Sequence, residues 1–122
     1  MLHFAPEPHL SLLFTKTLGI KYLSADLYNP QAMEKIDITK MPYSDTSFHV
    51  LICSHVLEHV SDDRRAMAEI YRVLTAGGWV LIMVPLKGKY TVEDSTVVSE
   101  SDRKRLFGQK DHVRQYLSLI HI

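Results

Sequence analysis

Hydrophobic and polar positions alternate along this chain in blocks that predict strands and helices in turn. Two nearly continuous apolar runs, FHVLIC at residues 48–53 and WVLIMV at residues 79–84, fit strands that are buried on both faces of a parallel sheet. Between them, Ser61 and two acids precede a segment of helical periodicity, so we expect a helix that is capped by Ser61 and ended by Gly77 and Gly78. Its buried face is predicted to contain Ala66, Met67, Ile70, Val73 and Leu74.

Weaker patterns predict the outer elements of the same sheet. Residues 2–5 predict a short strand, and a helix that ends at Gly19 is expected to follow, with apolar positions at Leu10, Leu13, Phe14 and Leu18. The other predicted elements are a strand over residues 20–25, a helical turn and short strand over residues 31–36, a loop over residues 87–100 and a short helix over residues 102–107. Alternating strands and helices predict an α/β fold with a parallel sheet.

Composition narrows the class of protein. The chain has 122 residues, enough for one domain, of which 46% are hydrophobic and 23% are charged. Lys and Arg together number 14, as do Asp and Glu, so no nucleic-acid partner is indicated. No apolar run approaches the roughly 18 residues that span a bilayer, so no membrane partner is expected. A single cysteine, Cys53, excludes an internal disulfide and favours a cytoplasmic location; no oligomeric state is predicted.

Polar residues follow the predicted strands at their carboxyl ends. Asp26 follows the second strand, Asp37 follows the third, and Ser54 and His55 follow the fourth. In open α/β sheets, ligands bind outside the carboxyl ends of the strands. We therefore expect these side chains to belong to one binding site.

Several sequence motifs occur together in the central βαβ unit, which spans residues 37–85. DITKMPYSDTSF at residues 37–48 is followed by HVLEHV at 55–60, EIYRVLTAGG at 69–78 and a strand that stops at Pro85. In this order and spacing they resemble class I S-adenosylmethionine-dependent methyltransferases of the methyltransferase type 11 kind. LHFAPE at residues 2–7 and FGQKDHVR at 107–114 are similar to segments of one subgroup, so the resemblance covers about residues 2–116.

The resemblance implies a Rossmann-like three-layer αβα sandwich with a parallel sheet in the order 3-2-1-4-5, whose terminal hairpin strands are missing. Residues 1–116 are then expected to be a partial methyltransferase domain that is truncated at both ends. The last residues, 117–122, match a translated sequencing adapter and are predicted to be an adapter-derived or disordered tail, the alternative being a natural strand. Transfer of a methyl group from S-adenosyl-L-methionine to a small-molecule or glycan-type acceptor is expected of the parent protein.

Four residues are implied to hold the adenosine part of this cofactor. Asp26, with Leu27 beside it, would accept hydrogen bonds from the ribose hydroxyls. Asp37 would bind the adenine amino group, and Ile38 would lie against the adenine ring.

The opening loop departs from the family pattern. Most relatives carry a Gly-x-Gly-x-Gly turn there, whereas HFAPEPH at residues 3–9 has no glycine and has two prolines that cannot donate hydrogen bonds. Ala5 and Glu7 are implied to contact the cofactor, with Glu7 recognising its ammonium group. Ser54 and His55 would lie near the methyl group, and His55 is the candidate general base.

Other functions fit some of the same residues. His55, Glu58 and His59 match the H-x-x-E-H motif of zinc peptidases, which also needs a regular helix and a third ligand, and no third ligand stands out in the sequence. Cys53 with His55 would suggest a thiol nucleophile, although a cysteine that ends an apolar strand is usually a small buried hydrophobe. A non-catalytic module with a methyltransferase-like fold is the remaining alternative. The main interpretation involves no metal.

Overall fold

The structure is a computed structural model that describes residues 1–17, 19–86 and 91–116. The chain divides into two compact units. The first contains Met1–Ser54 and Asp62–Ile82, and the second contains His55–Ser61 with the described part of Met83–Ile122. None of the helices in the described residues has the length and apolar character that crossing a membrane requires.

A five-stranded sheet organises the first unit. Its strands are β1 (Leu2–Phe4), β2 (Leu23–Asp26), β3 (Glu34–Lys35), β4 (Phe48–Ser54) and β5 (Leu74–Met83). They lie in the order β3-β2-β1-β4-β5, and the pairs β1–β2, β1–β4 and β2–β3 are parallel. The predicted Rossmann-like α/β fold with the order 3-2-1-4-5 is therefore confirmed.

The central strand β1 carries the middle of the core. Leu2 is in register with Leu23 on one side and Leu51 on the other, and Phe4 is in register with Cys53. All three residues of β1 are buried, so both of its faces are covered. Covered faces explain the continuous apolar run of β4. The prediction for residues 79–84 is wrong in this respect, because β5 lies at the end of the strand order, none of its residues is buried, and Trp79, Leu81 and Met83 are exposed.

Helix α2 (Asp63–Val73) forms where helical periodicity predicts it. Its N-cap is Asp62 and not Ser61, because Asp62 Oδ1 accepts a hydrogen bond from the Arg65 amide at 2.9 Å. An aspartate also brings a negative charge to the positive end of the helix. Two positions of the predicted buried face are wrong, since Met67 is exposed and Leu74 lies beyond the helix, and the buried positions are Ala66, Ile70 and Val73.

The prediction that two adjacent glycines end this helix is wrong. The helix ends at Val73, and Gly77 and Gly78 lie inside β5. Gly77 has a φ of +76°, a conformation that favours glycine. A Cβ on Gly78 would lie 2.9 Å from the carbonyl oxygen of His49, so the close approach of these two backbone segments requires a glycine.

Helix α1 (Pro8–Lys16) lies on the surface. None of its residues is buried, and Leu10 and Leu13 of the predicted apolar stripe are both exposed. The helix stops at Lys16, before Gly19, and Leu18 lies outside the described residues. Periodicity thus predicts the helix correctly but does not establish that its apolar side is covered.

The second unit contains short elements. They are a turn of 3₁₀ helix (Leu57–His59), helix α3 (Glu100–Phe107) and the antiparallel strands β6 (Val92–Glu93) and β7 (Arg114–Gln115). Helix α3 confirms the predicted helix over residues 102–107. Strand β6 lies within the predicted loop; it was not predicted because its partner strand, β7, is distant in the sequence. Residues 87–90 of that loop and the predicted tail at 117–122 lie outside the described residues.

Candidate functional site

Neighbouring parallel strands bring predicted site residues to one edge of the sheet in the first unit. Asp26 ends β2 and is in register with Lys35 of β3, and Asp37 follows two residues later. The amide of Ala5, just after β1, donates to the carbonyl of Ala25 at 3.1 Å. The loop after β1, Asp26 and Asp37 therefore follow one another along the carboxyl edge of β1, β2 and β3.

The loop after β1 begins with a left-handed residue. Ala5 has a φ of +49°, in a region that residues other than glycine rarely adopt. For alanine this conformation costs about 1 kcal/mol. The loop therefore adopts, without a glycine, a backbone conformation that glycine normally provides.

A buried histidine holds Glu7 in this loop. His3 is fully buried in β1, and its Nε2 lies 2.6 Å from Glu7 Oε2 while its Nδ1 lies 3.0 Å from the Tyr22 hydroxyl. In the neutral ring, Nε2–H donates to the carboxylate and Nδ1 accepts from the tyrosine. Sequence patterns assign no role to His3 or Tyr22, because their contact depends on the pairing of β1 with the segment before β2.

The environment keeps Glu7 ionised. Partial burial would raise the pKa of Glu7, but hydrogen bonding by its own backbone amide and by His3, with a contribution from the Ser54 hydroxyl, lowers that pKa below its usual value. A carboxylate has acceptor capacity beyond its contact with His3. Glu7 is therefore a half-buried, anchored negative charge.

Asp26 and Asp37 are both oriented by local donors. Asp26 Oδ1 accepts hydrogen bonds from the amides of Tyr28 and Asn29 at 2.7 and 2.8 Å. Asp37 Oδ1 accepts from the amide and the hydroxyl of Thr39, both at 2.8 Å. Side chains held in this way are fixed before a ligand arrives, which reduces the cost of binding.

The two apolar neighbours of these aspartates differ in exposure. Leu27 is half-buried, whereas Ile38 is only 4% exposed. Ile38 thus belongs mainly to the core and offers a small apolar surface. Its contact with an adenine ring stays a prediction.

Ser54 ends β4 and is the first polar residue after its apolar run. It follows Cys53, the register partner of Phe4, and is 3% exposed. Its Oγ is near enough to the Glu7 carboxylate to help lower the pKa of Glu7, but it makes no hydrogen bond among the described residues. Buried hydroxyls are usually paired, so a ligand or a water molecule is the expected partner.

His55 begins the segment of the second unit that follows β4. It has a φ of +52°, its amide donates to the carbonyl of Met83 at 2.8 Å, and its side chain is 63% exposed. Its Nδ1 lies 3.4 Å from Glu58 Oε1. Backbone strain of this kind collects at functional sites, where surrounding contacts maintain it.

The geometry of a zinc peptidase motif is not found among the described residues. Leu57–His59 is a single 3₁₀ turn, so His55 and His59 do not lie on one regular helix. Cys53 is fully buried, as expected of a small hydrophobe rather than an accessible nucleophile. A different group comes together instead: Glu58, His59 and His112 each offer a metal-ligand atom, and these atoms lie within 4.8 Å of one another.

Arg72 of α2 holds the loop between β3 and β4. Its guanidinium donates to the carbonyls of Met41 and Tyr43 at 3.0 and 2.7 Å and to the carboxylate of Asp45 at 2.8 Å. Glu69 accepts the Met41 amide at 2.8 Å, and hydrogen bonding from Arg72 lowers the pKa of Glu69 to about 2. This structural network was not predicted, although the Glu-x-x-Arg spacing on a helix is a local signal for the ion pair at its centre.

Comparison with known proteins agrees with the fold. A family model described as a methyltransferase domain matches residues 16–82, more than half of the chain. A demethylmenaquinone methyltransferase of Deinococcus radiodurans is 30% identical over 76 residues, which are 62% of this chain and 29% of the relative. The chain therefore spans less than a third of the length of this curated relative.

Solved structures show the same fold at lower identity. The YcgJ protein of Bacillus subtilis is similar with a TM-score of 0.65 and 21% identity, over 96% of this chain and 55% of that one. The [4+2]-cyclase SpnF is similar with a TM-score of 0.59 and 17% identity, over 96% of this chain and 46% of that one. Fold similarity alone thus does not define the reaction. The match of the family model to more than half of the chain establishes that it belongs to the methyltransferase domain family.

Proposed function

We propose that this chain binds S-adenosyl-L-methionine at the carboxyl edge of β1, β2 and β3, and that its parent protein methylates a small-molecule or glycan-type acceptor. The observation that carries the proposal is the pair of pre-oriented carboxylates, Asp26 and Asp37, on adjacent parallel strands. The D. radiodurans relative, a demethylmenaquinone methyltransferase, supports a small-molecule acceptor. A cytoplasmic location is part of the proposal and is supported by the single, buried Cys53.

The two aspartates suit the two polar parts of an adenosine. Asp26 retains acceptor capacity beyond the two amides that it binds, and the adjacent hydroxyls of a ribose are matching donors. Asp37 accepts a hydrogen bond from the adenine amino group in the same way. Leu27 and Ile38, next to them in the chain, supply apolar contacts.

The loop after β1 suits the amino-acid end of the cofactor. Glu7 is ionised and anchored by His3, so it attracts the ammonium group. The left-handed conformation of Ala5 turns the backbone at this point. The buried Ser54 hydroxyl, without a partner among the described residues, is available to the same ligand.

When bound, this cofactor supplies an electrophilic methyl carbon. The contribution of the chain is to orient the reactants and to receive the proton that the acceptor loses. We assign His55 as the residue that accepts this proton. Its side chain is largely exposed, and its Nδ1 lies 3.4 Å from Glu58 Oε1.

Titration calorimetry with S-adenosylhomocysteine tests the binding site. We expect Asp26→Ala and Asp37→Ala each to weaken binding by roughly tenfold or more, since a charged hydrogen-bond acceptor is lost. Asp94→Ala is the matched control, because Asp94 accepts the amide and hydroxyl of Thr96 at 2.9 and 2.6 Å in the same type of turn as Asp37. Absent binding, or equal binding by the double variant Asp26→Ala/Asp37→Ala, contradicts the site assignment.

A second candidate function is cofactor binding without methyl transfer. The similarity to SpnF supports this second candidate, because SpnF shares the fold but is named as a [4+2]-cyclase and not as a methyltransferase. Incubation with methyl-labelled cofactor and a panel of quinol, phenol and sugar acceptors separates the two functions. Tight binding combined with no labelled product from a longer version of the protein would support the second candidate.

A further inference from the structure

The second unit brings together three metal-ligating side chains that are far apart in the sequence. Glu58 and His59 belong to the 3₁₀ turn, and His112 precedes β7. One ligand atom of each lies within 4.8 Å of the others, and the two imidazole rings meet edge to face with their centroids 4.7 Å apart. Two imidazoles and one carboxylate are a common ligand set for zinc.

Both histidines are held as metal-binding histidines usually are. His112 Nδ1 lies 3.2 Å from the carbonyl oxygen of Phe107, which can only accept, so Nδ1 carries the proton and Nε2 carries the lone pair. His59 Nδ1 lies 3.3 Å from a carboxylate oxygen of Asp111 and 3.4 Å from the carbonyl of that residue. Oxygen partners of this kind fix the tautomer and the ring orientation of metal ligands.

The carboxylate of the group also lacks a complete set of partners. Glu58 is 1% exposed, and its Oε2 has no hydrogen-bond partner among the described residues, while its Oε1 lies 3.4 Å from His55 Nδ1. A buried carboxylate oxygen is costly unless a donor or a cation approaches it. A bound cation would satisfy it.

A buried arginine holds the turn that carries two of the ligands. Arg114 donates to the carbonyl oxygens of Leu57, Val60 and Ser61, and to the carboxylate of Glu93 at 2.8 Å. The positions of Glu58 and His59 are therefore fixed by contacts that do not depend on a metal. Such pre-organisation favours a specific site over loose surface binding.

We propose that Glu58, His59 and His112 bind one divalent transition-metal ion of the zinc class through a carboxylate oxygen and two Nε2 atoms. Three protein ligands leave one position of a tetrahedral ion for water or a small ligand. Of the three ligands, His112 also lines a cavity of about 170 Å³, together with Phe107 and Arg114 among others. This site differs from the peptidase motif, because His112 takes the place of His55, and it does not depend on the proposed methyl transfer.

Metal titration of the whole 122-residue chain tests the proposal. After chelator treatment and dialysis, we expect calorimetry to find one Zn²⁺ per chain, and Co²⁺ to produce the visible absorption of a four-coordinate ion. His59→Ala, Glu58→Gln and His112→Gln are each expected to weaken binding at least about tenfold. His59 is the most informative of the three, because its side chain is 33% exposed and its replacement is expected to leave the fold intact, which circular dichroism checks.

Two control variants distinguish the ligand set from other histidines. His49→Ala removes an exposed imidazole outside the group, and His55→Ala removes a histidine that belongs to the peptidase motif but not to the proposed ligand set. Both are expected to keep the affinity and the Co²⁺ spectrum. Failure to bind a stoichiometric ion, unchanged binding by folded His59→Ala, or loss of binding by folded His55→Ala would each overturn the proposal.

Discussion

Glu69 and Arg72, one turn apart on α2, form a two-point ion pair in which Nε lies 2.7 Å from Oε1 and Nη2 lies 2.8 Å from Oε2. Each partner also binds the loop between β3 and β4. Glu69 accepts a hydrogen bond from the amide of Met41, and Arg72 donates to the carbonyl oxygen of Met41. The pair thus joins a helix to the loop that starts at the predicted adenine-binding residue, Asp37.

Glu69→Gln is expected to lower the free energy of unfolding by about 2 kcal/mol at neutral pH, because a charged hydrogen-bond network is broken. The pKa of Glu69 falls from its ordinary 4.5 to about 2 in the folded chain, mainly through the hydrogen bond from Arg72. Its contribution is therefore complete above pH 4.5 and is lost as the pH falls towards 2.

Urea denaturation at pH 7 and pH 3 measures this effect. The difference between the wild type and Glu69→Gln should be smaller at the lower pH. Glu100→Gln, at an exposed glutamate, is the matched control and should change little at either pH. An equal loss of stability in both variants would contradict the role of Glu69.

Arg72→Lys should destabilise the chain although it keeps the charge. The guanidinium reaches the carbonyls of Met41 and Tyr43 and two carboxylates at once, and an ammonium cannot match that planar fork. We expect a loss of about 2 kcal/mol in urea denaturation. Arg64→Lys, at an exposed position of the same helix, is the control and should behave like the wild type.

Glu7→Gln tests the recognition of the cofactor's ammonium group. We expect roughly tenfold weaker binding of S-adenosylhomocysteine, because the charge that attracts the ammonium is removed. Methylthioadenosine has the same nucleoside but no amino-acid part, so its affinity should stay the same. Calorimetry with both ligands measures the contrast, and a parallel loss of both affinities would indicate a general disturbance of the loop.

Ala5→Gly is expected to raise the free energy of unfolding slightly, by about 0.5 kcal/mol, because glycine adopts a φ of +49° without strain. Ala68→Gly makes the same substitution at an exposed position within α2 and should lower stability by about 1 kcal/mol. Opposite signs in urea denaturation are the expected result. A loss at both positions would show that Ala5 is not strained.

Gly78→Ala should destabilise the sheet by about 1–3 kcal/mol, because the new Cβ would lie 2.9 Å from the carbonyl oxygen of His49. The obstacle is backbone, so removing the side chain of His49 gives no relief. The double variant His49→Ala/Gly78→Ala should therefore be no more stable than Gly78→Ala in thermal denaturation. Restored stability would place the clash in the side chain instead.

The inner strands and helix α2 could be predicted from the sequence because their signals are local. Residues 48–53 are apolar almost throughout, a pattern that fits a strand covered on both faces, and β4 occupies Phe48–Ser54. The cap of α2 could not be predicted in the same way, because Ser61 and Asp62 are both good caps and the choice between them depends on backbone direction. The exposure of Leu13 in α1 could not be predicted, since periodicity contains no information about what covers a helix.

The edge of the sheet that carries Asp26 and Asp37 could also be predicted, since both residues follow strands directly. The interactions that support the site could not. His3 meets Tyr22 through strand pairing, and Glu58 approaches His112 across more than fifty residues of sequence. Side chains that are distant along the chain have no shared local pattern, so only the folded structure reveals their contact.

Ala5 has a consequence for how related chains are found. A search for the letters of a glycine-rich turn passes over this loop, although Ala5 has the left-handed backbone that glycine is usually chosen to provide. The requirement at this position is a pair of dihedral angles, and glycine is only its least strained solution. Chains with alanine, asparagine or aspartate after the first strand therefore belong among the candidates for the same turn, and comparing backbone angles would detect them where comparing letters does not.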